Sequence, residues 1–217
     1  MTNNIIIRVL FAPLSILFGI GVAIKNGFYR LGLLRGIRFD IPTISVGNLT
    51  TGGTGKSPFI ELLVETLNPY IKIAILSRGY KRKTNGFQLL PTEANSTDYG
   101  DEPAQFKRKY PDVNVVVSES RQIGIQNISA QFPETQTILL DDAFQHRAVI
   151  PSLNILLTEF DKPYFNDLLL PAGNLREFRK GQQRADIIVV TKCPQEEQQI
   201  DQAKWLTKLK PDNRSVY

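Results

Sequence analysis

An α/β fold with a mostly parallel sheet flanked by helices is what this 217-residue chain predicts, on three observations. Apolar runs rich in β-branched residues alternate with helical patterns from residue 44 to residue 190, as strand–helix–strand units require. A glycine-rich stretch, Thr50-Thr51-Gly52-Gly53-Thr54-Gly55-Lys56-Ser57, follows the first of those runs and leads into the helical pattern Phe59 to Val64. A later run, Thr137 to Leu140, ends in two acids, Asp141 and Asp142.

Strand, glycine-rich loop, Lys-Ser and helix together describe a phosphate-binding loop, which makes the expected fold phosphate-loop NTPase-like. Glycines let successive N–H groups turn inward toward a phosphate. Lys56 can reach the terminal phosphates and Ser57 can ligate Mg²⁺, while the helix adds the positive end of its dipole. Pro58 suits a first helical turn, where its missing N–H is not needed. One residue departs from the usual G-x-x-x-x-G-K-[ST] pattern: Thr50 stands where glycine is expected. The competing reading is a glycine-rich turn that binds nothing. In phosphate-loop proteins an acid at the end of a strand such as Thr137–Leu140 holds Mg²⁺, so Asp141 and Asp142 strengthen the first reading.

A hydrophobic fraction of 42% is ordinary for a folded domain. The net charge of +5 suits anionic lipid, nucleotide or nucleic acid alike. Cys193 and His146 are the sole residues of their kinds, so neither a disulfide framework nor a Cys/His zinc site can be built. A reducing, cytosolic catalytic domain is the default.

In chain order, residues 9–24 are apolar around the whole helical circumference, with Lys25, Arg30, Arg35 and Arg38 downstream. A cleaved signal peptide lacks its small-x-small site. A buried core helix remains an alternative. The preferred reading is a membrane-dipping anchor whose basic flank meets anionic headgroups, giving a division into an apolar helix with its flank (1–38) and a catalytic core (39–217). Residues 71–76 read as a buried strand that delivers Arg78, Lys81, Arg82 and Lys83 to its carboxyl end, where open α/β sheets place their ligands. Arg78 is assigned to a phosphate, whereas residues 81–83 suit lipid headgroups equally. A short strand at 87–90 and a polar loop at 91–99 follow. Asp101 and Glu102 open a helix: Asp101 as its N-cap, or the two carboxylates as metal and proton-transfer groups. Strand 113–117, helix 121–132, strands 153–157 and 186–190 and a helix at 196–209 complete the pattern, before a Lys-Pro-Asp-Asn turn. Gln145 and His146 lie just past the acidic pair, His146 as a site residue or a structural one. The last full strand runs into Thr191-Lys192-Cys193-Pro194, which lacks the Asn and Asp of a guanine-reading loop.

Taken together, SVGNLTTGGTGKSP, LSRGYKR, GDEPAQF, LDDAFQHR, LPAGNLREF and DIIVVTK resemble the tetraacyldisaccharide 4′-kinase family of the lipid A pathway in Gram-negative bacteria. That family tolerates a non-glycine residue at the Thr50 position. The resemblance implies transfer of the ATP γ-phosphate to the 4′-hydroxyl of an acylated glucosamine disaccharide 1-phosphate, giving lipid IVA, at the cytoplasmic face of the inner membrane. No nucleic acid partner is implied. It assigns residues 50–57 to ATP, Asp101 to the general base, and Ser57, Glu102, Asp141, Asp142 and Gln145 to the Mg²⁺ side. Lys56, Arg78, His146, Arg176 and Glu177 line the reaction site on the same grounds. Family members continue into a smaller C-terminal part carrying a histidine that pairs with the base, and no histidine follows His146 here. The expectation is therefore a C-terminally truncated member that binds nucleotide but is a poor kinase. A phosphate-loop GTPase or ATPase switch, a metal-insertion chaperone and a membrane-attached scaffold are the alternatives.

Overall fold

The computed structural model describes residues 5–195, 202–209 and 215–216. It divides into two units. One unit comprises Met1–Arg35, Asn48–Gly55 and Asn154–Tyr217; the other comprises Gly36–Gly47 and Lys56–Leu153.

Helix α1 (Ile5–Arg30) opens the first unit. Its stretch Arg8–Arg30 is long and apolar enough to cross a membrane, and only 6% of the most apolar window is buried. Val9, Leu10, Leu14, Ile16, Leu17 and Ile20 are all exposed, so α1 is not the core helix that composition alone would allow. Among the described residues, its one buried polar side chain is Ser15. That hydroxyl donates to the Leu169 carbonyl at 3.1 Å and accepts from the Ala172 N–H at 2.9 Å, which docks α1 on the 167–180 segment. Gly19 sits at the same contact, where a Cβ would come within 3.0 Å of Leu169.

The second unit carries β1 (Thr43–Asn48), α2 (Lys56–Leu67), β2 (Ile73–Ser77), β3 (Gln88–Leu89), α3 (Ser96–Tyr99), α4 (Asp101–Lys109), β4 (Asn114–Val117), α5 (Arg121–Gln131) and β5 (Thr137–Asp141). Its strands lie in the order β3-β4-β2-β5-β1. All neighbours are parallel except β3 and β4. Strands β2 and β5 are buried along their full length, as their unbroken apolar runs require of parallel strands covered on both faces. Leu76, Val116, Ile125, Ile128, Ile138 and Leu140 form the centre of the core. Gly47 lies against the turn after β5, where a Cβ would fall 2.6 Å from Phe144 Cβ and 2.9 Å from its backbone N. Gly47→Ala is expected to destabilise the protein by about 1–3 kcal/mol, read as a lower urea midpoint at unchanged slope.

Two local expectations change here. The polar segment 91–99 contains the helical turn α3, capped by Asn95, whose side chain accepts from the Asp98 N–H at 2.8 Å. Asp101 is not the N-cap of α4. That position is Gly100, at φ +93°, and Asp101 is the first helical residue. The chain passes so close there that a Cβ on Gly100 would lie 3.2 Å from the Gly79 backbone, so the cap has to be a residue without a side chain.

The first unit resumes with β6 (Leu153–Glu159), short 3₁₀ turns at Tyr164–Asn166 and Arg179–Arg184, β7 (Ile187–Thr191), α6 (Gln202–Leu209) and β8 (Ser215–Val216). Strands β6, β7 and β8 pair in parallel. Trp205 of α6 stacks on Phe160 and meets Phe165 edge-on. Residues 196–201 of the expected last helix, and the Lys-Pro-Asp-Asn turn, lie outside the described residues.

Candidate functional site

The glycine-rich loop leaves β1 at Asn48, whose buried amide donates to the Thr54 hydroxyl at 2.8 Å and so spans the base of the loop. Gly52 and Gly55 take φ +118° and +82°, conformations that a side chain disfavours. Thr50 does not have a positive φ; it forms an antiparallel bridge with Leu175. The usual glycine is dispensable at that position because the backbone there is extended and paired. The 174–176 segment runs alongside: Thr51 N–H donates to the Asn174 carbonyl and Arg176 N–H to the Leu49 carbonyl, both at 2.8 Å. The Thr191 hydroxyl, at the end of β7, donates to the Thr54 carbonyl at 3.0 Å. Arg176 is thus held at the mouth of the loop, half-buried. Glu177, 4% exposed, accepts from both terminal nitrogens of Arg184, at 2.7 and 2.9 Å.

Residues 50–55 fall in the first unit, and Lys56 and Ser57, next along the chain, begin α2 in the second. There Lys56 is buried, with its ammonium 3.7 Å from the Asp142 carboxylate. Ser57 Oγ donates to Glu102 Oε1 at 2.9 Å, joining the first turn of α2 to the first turn of α4. Asp101 stands beside Glu102, exposed. Asp141 ends β5 almost wholly buried, and its Oδ2 accepts from the Ser77 hydroxyl at 2.9 Å. Asp142 turns the chain at φ +46°. Gln145 and His146, half-buried, follow in that turn, where the His146 N–H donates to the Ala143 carbonyl at 2.8 Å. Arg78, exposed at the carboxyl end of β2, is close enough to lower the pKa of Arg121.

Three side chains here were not singled out from sequence: Asn48, Ser77 and Arg121. Arg121 is buried at the start of α5 and donates to the carbonyls of Asp141 and Ser118. A cation in the first turn of a helix opposes the helix dipole, and that misplacement was the available signal. Burial lowers the Arg121 guanidinium to about 10. Asp141 is pushed up to about 6, first by burial and then by the neighbouring carboxylates Glu102 and Asp142.

The residues fit a magnesium ion. Asp141 Oδ1 is buried and, among the described residues, has no hydrogen-bond partner. Nor, among those residues, do three side chains of His, Cys, Asp and Glu converge to form a protein cage. Mg²⁺ needs none, since it takes one or two carboxylates and completes its shell with water and phosphate oxygens.

A β-strand, a glycine loop entering a helix through Lys-Ser, and acids at the end of a parallel strand define a phosphate-loop nucleotide-binding protein. The family described as LpxK, tetraacyldisaccharide-1-P 4′-kinase, matches residues 7–215, and the chain belongs to it. It is 51% identical over 195 residues to the tetraacyldisaccharide 4′-kinase of Parabacteroides distasonis, a match covering 88% of this chain and 53% of that one. The enzyme of the same name from Flavobacterium johnsoniae is 48% identical over 207 residues, covering 95% and 61%. Among solved structures, the "apo" form of LpxK from Aquifex aeolicus in complex with ATP superposes with a TM-score of 0.79 at 37% identity, covering 89% of this chain and 60% of that one. The chain therefore spans between about half and three fifths of the length of these relatives. Membership of a kinase family does not favour the switch or chaperone alternatives.

Proposed function

We propose that this protein transfers the γ-phosphate of ATP to the 4′-hydroxyl of an acylated glucosamine disaccharide 1-phosphate, giving the bis-phosphorylated lipid IVA. The observation that carries this reading is the Ser57–Glu102 hydrogen bond, which sets the carboxylates opening α4 beside the Lys-Ser of the phosphate loop. A nucleotide switch needs only the loop, whereas a kinase also needs an acid to receive the acceptor's proton. The sugar O4′ attacks the γ-phosphorus as the bond to the β-phosphate oxygen breaks, and ADP leaves. Asp101 takes the hydroxyl proton. Lys56 and the N–H groups of residues 51–55 bind the phosphates, and Arg78 and Arg176 offset their charge. Ser57, Glu102 and Asp141 would hold Mg²⁺, which supplies charge neutralisation to the β- and γ-phosphates, with Asp142, Gln145 and His146 beside them. Glu177, clamped by Arg184, keeps the Arg176 segment in place along the loop.

The acceptor's acyl chains belong in a bilayer, and α1 presents an exposed apolar surface followed by Arg30, Arg35 and Arg38. This supports peripheral or monotopic attachment to anionic headgroups on the cytoplasmic face of the inner membrane.

The test is labelled ATP with Mg²⁺ and the disaccharide 1-phosphate in detergent, using the protein extended through any coding sequence that follows Tyr217. Labelled bis-phosphate lipid is expected; Mg·ATP binding without labelled lipid would sink the reading. Lys56→Ala is expected to lower turnover by about 10²–10³-fold and to weaken ATP binding measurably by calorimetry. Parental turnover in that variant would remove Lys56 from the site.

A further inference from the structure

We propose that a ladder of polar side chains between α2 and α4, running outward from the reaction site, sets the register between the phosphate-binding and proton-accepting parts of that site. The inference rests on the kinase reading above for its catalytic consequence, and on geometry alone for the ladder.

The two helices begin with the two halves of the chemistry, Lys56 and Ser57 on α2, Asp101 and Glu102 on α4. Each packs on a strand of its own, α2 on β5 and α4 on β4. Across the space between them, side chains pair in steps. At the site end Ser57 Oγ donates to Glu102 at 2.9 Å. One turn further, Glu61 accepts from Gln105 Nε2 at 2.9 Å and from Lys109 Nζ at 2.7 Å. A turn beyond that, Glu65 faces Lys109 at 3.1 Å and accepts from the Tyr110 hydroxyl at 2.7 Å. Residues 57, 61 and 65 share one face of α2, and 102, 105 and 109 share one face of α4, as four- and three-residue steps dictate. The pairs advance together along both helices, so the helices run parallel and the spacing of the rungs fixes how far one can slide against the other.

Lys109 is the central rung: its ammonium meets the carboxylates of both Glu61 and Glu65, and the neighbouring Tyr110 hydroxyl donates to the Glu61 carbonyl and the Glu65 carboxylate. Its ammonium is held above its ordinary range, chiefly by the hydrogen bond to Glu61 and then by those to Tyr110 and Glu65. Exposed ion pairs add little stability. Their value here is positional. A slip of one residue along a helix is about 1.5 Å, and a misplacement of about 1 Å between reacting groups can cost as much as 10²-fold in rate. Lys109, Glu61 and Glu65 are thus positioning residues, acting through Glu102 and Asp101.

The experiment compares Lys109→Met, which keeps the stem and removes the charge, with Lys109→Arg, which keeps the charge. Lys109→Met is expected to lower kcat about fivefold with KM for ATP within about twofold, and Lys109→Arg to restore kcat to within about twofold of the parent. Spin labels at Thr66→Cys on α2 and Arg108→Cys on α4, in a Cys193→Ser background, give a second readout that needs no reaction. One narrow distance is expected in the parent and a broadened one in Lys109→Met. An unchanged distance distribution overturns the ladder, as does a kcat loss that arginine fails to rescue or a loss carried wholly by KM. If the parent forms no labelled lipid, the kinase reading fails by itself and the label distances alone decide the ladder.

Discussion

Asp101→Asn is expected to lower lipid phosphorylation by about 10²–10⁴-fold, the range for removing a general base, with Mg·ATP affinity changed by less than about threefold. Capping had offered a structural explanation for Asp101, and Gly100 removes it by occupying the cap itself. What remains is an exposed carboxylate in the first turn of a helix, next to the glutamate that meets the phosphate-loop serine. Losing its interaction with the helix dipole costs about 0.3–1 kcal/mol, too little to unfold the protein. The variant therefore separates chemistry from folding. A large fall in thermal midpoint alongside the lost activity would return Asp101 to a structural role. Stopped-flow or equilibrium nucleotide binding, run beside the product assay, makes the comparison.

Asp141→Asn is expected to act in two opposite directions. Without nucleotide it stabilises the protein at pH 7.5; with Mg·ATP it removes the stabilisation that the parent gains, and product formation falls by at least about 10²-fold. The sign follows from Asp141 being pushed up to about 6 by burial, with Glu102 and Asp142 adding to the rise. The folded protein holds this proton more tightly than the unfolded chain does. The contribution to stability is fully present below the ordinary carboxylate pKa and is lost as pH rises through about 6. At pH 7.5 the buried charge costs on the order of 3 kcal/mol. Asparagine carries no such charge and still accepts from Ser77, so the variant should melt higher and with a flatter profile between pH 4 and 7, about 1–3 kcal/mol better at the upper end. Thermal melts across that range, with and without Mg·ATP, check both halves. A variant less stable than the parent at pH 7.5 would show that Asp141 is not an electrostatic liability in the free protein.

Long, uniform signals in the chain translated directly into structure. The unbroken apolar runs of β2 and β5 had to be doubly covered parallel strands, and the glycines at 52 and 55 had to bear positive φ. What local pattern could not supply was the partner across the fold. The harmlessness of Thr50 depends on a bridge to Leu175, 125 residues away along the chain. Asp101 reads as a cap until Gly79 is seen to press on Gly100. Ser77 and Asn48 are ordinary strand-end residues until one meets Asp141 and the other meets Thr54. Arg121 carried a detectable oddity, a cation at the wrong end of a helix, but its reason lies on a different strand. Ser15 and Gly19 dock α1 on residues near 170, a contact that sequence distance hides.

The phosphate loop is held from outside at three places, by the Asn174 carbonyl, by the Arg176 N–H and by the Thr191 hydroxyl. A loop tied in this way is preorganised: its backbone entropy is surrendered on folding, before any nucleotide arrives. Association should then be fast and little slowed by loop ordering, with nucleotide affinity set by how quickly the ligand leaves. The LPAGNLREF segment, which meets the loop through its backbone at Asn174 and Arg176, thereby becomes a determinant of nucleotide residence time.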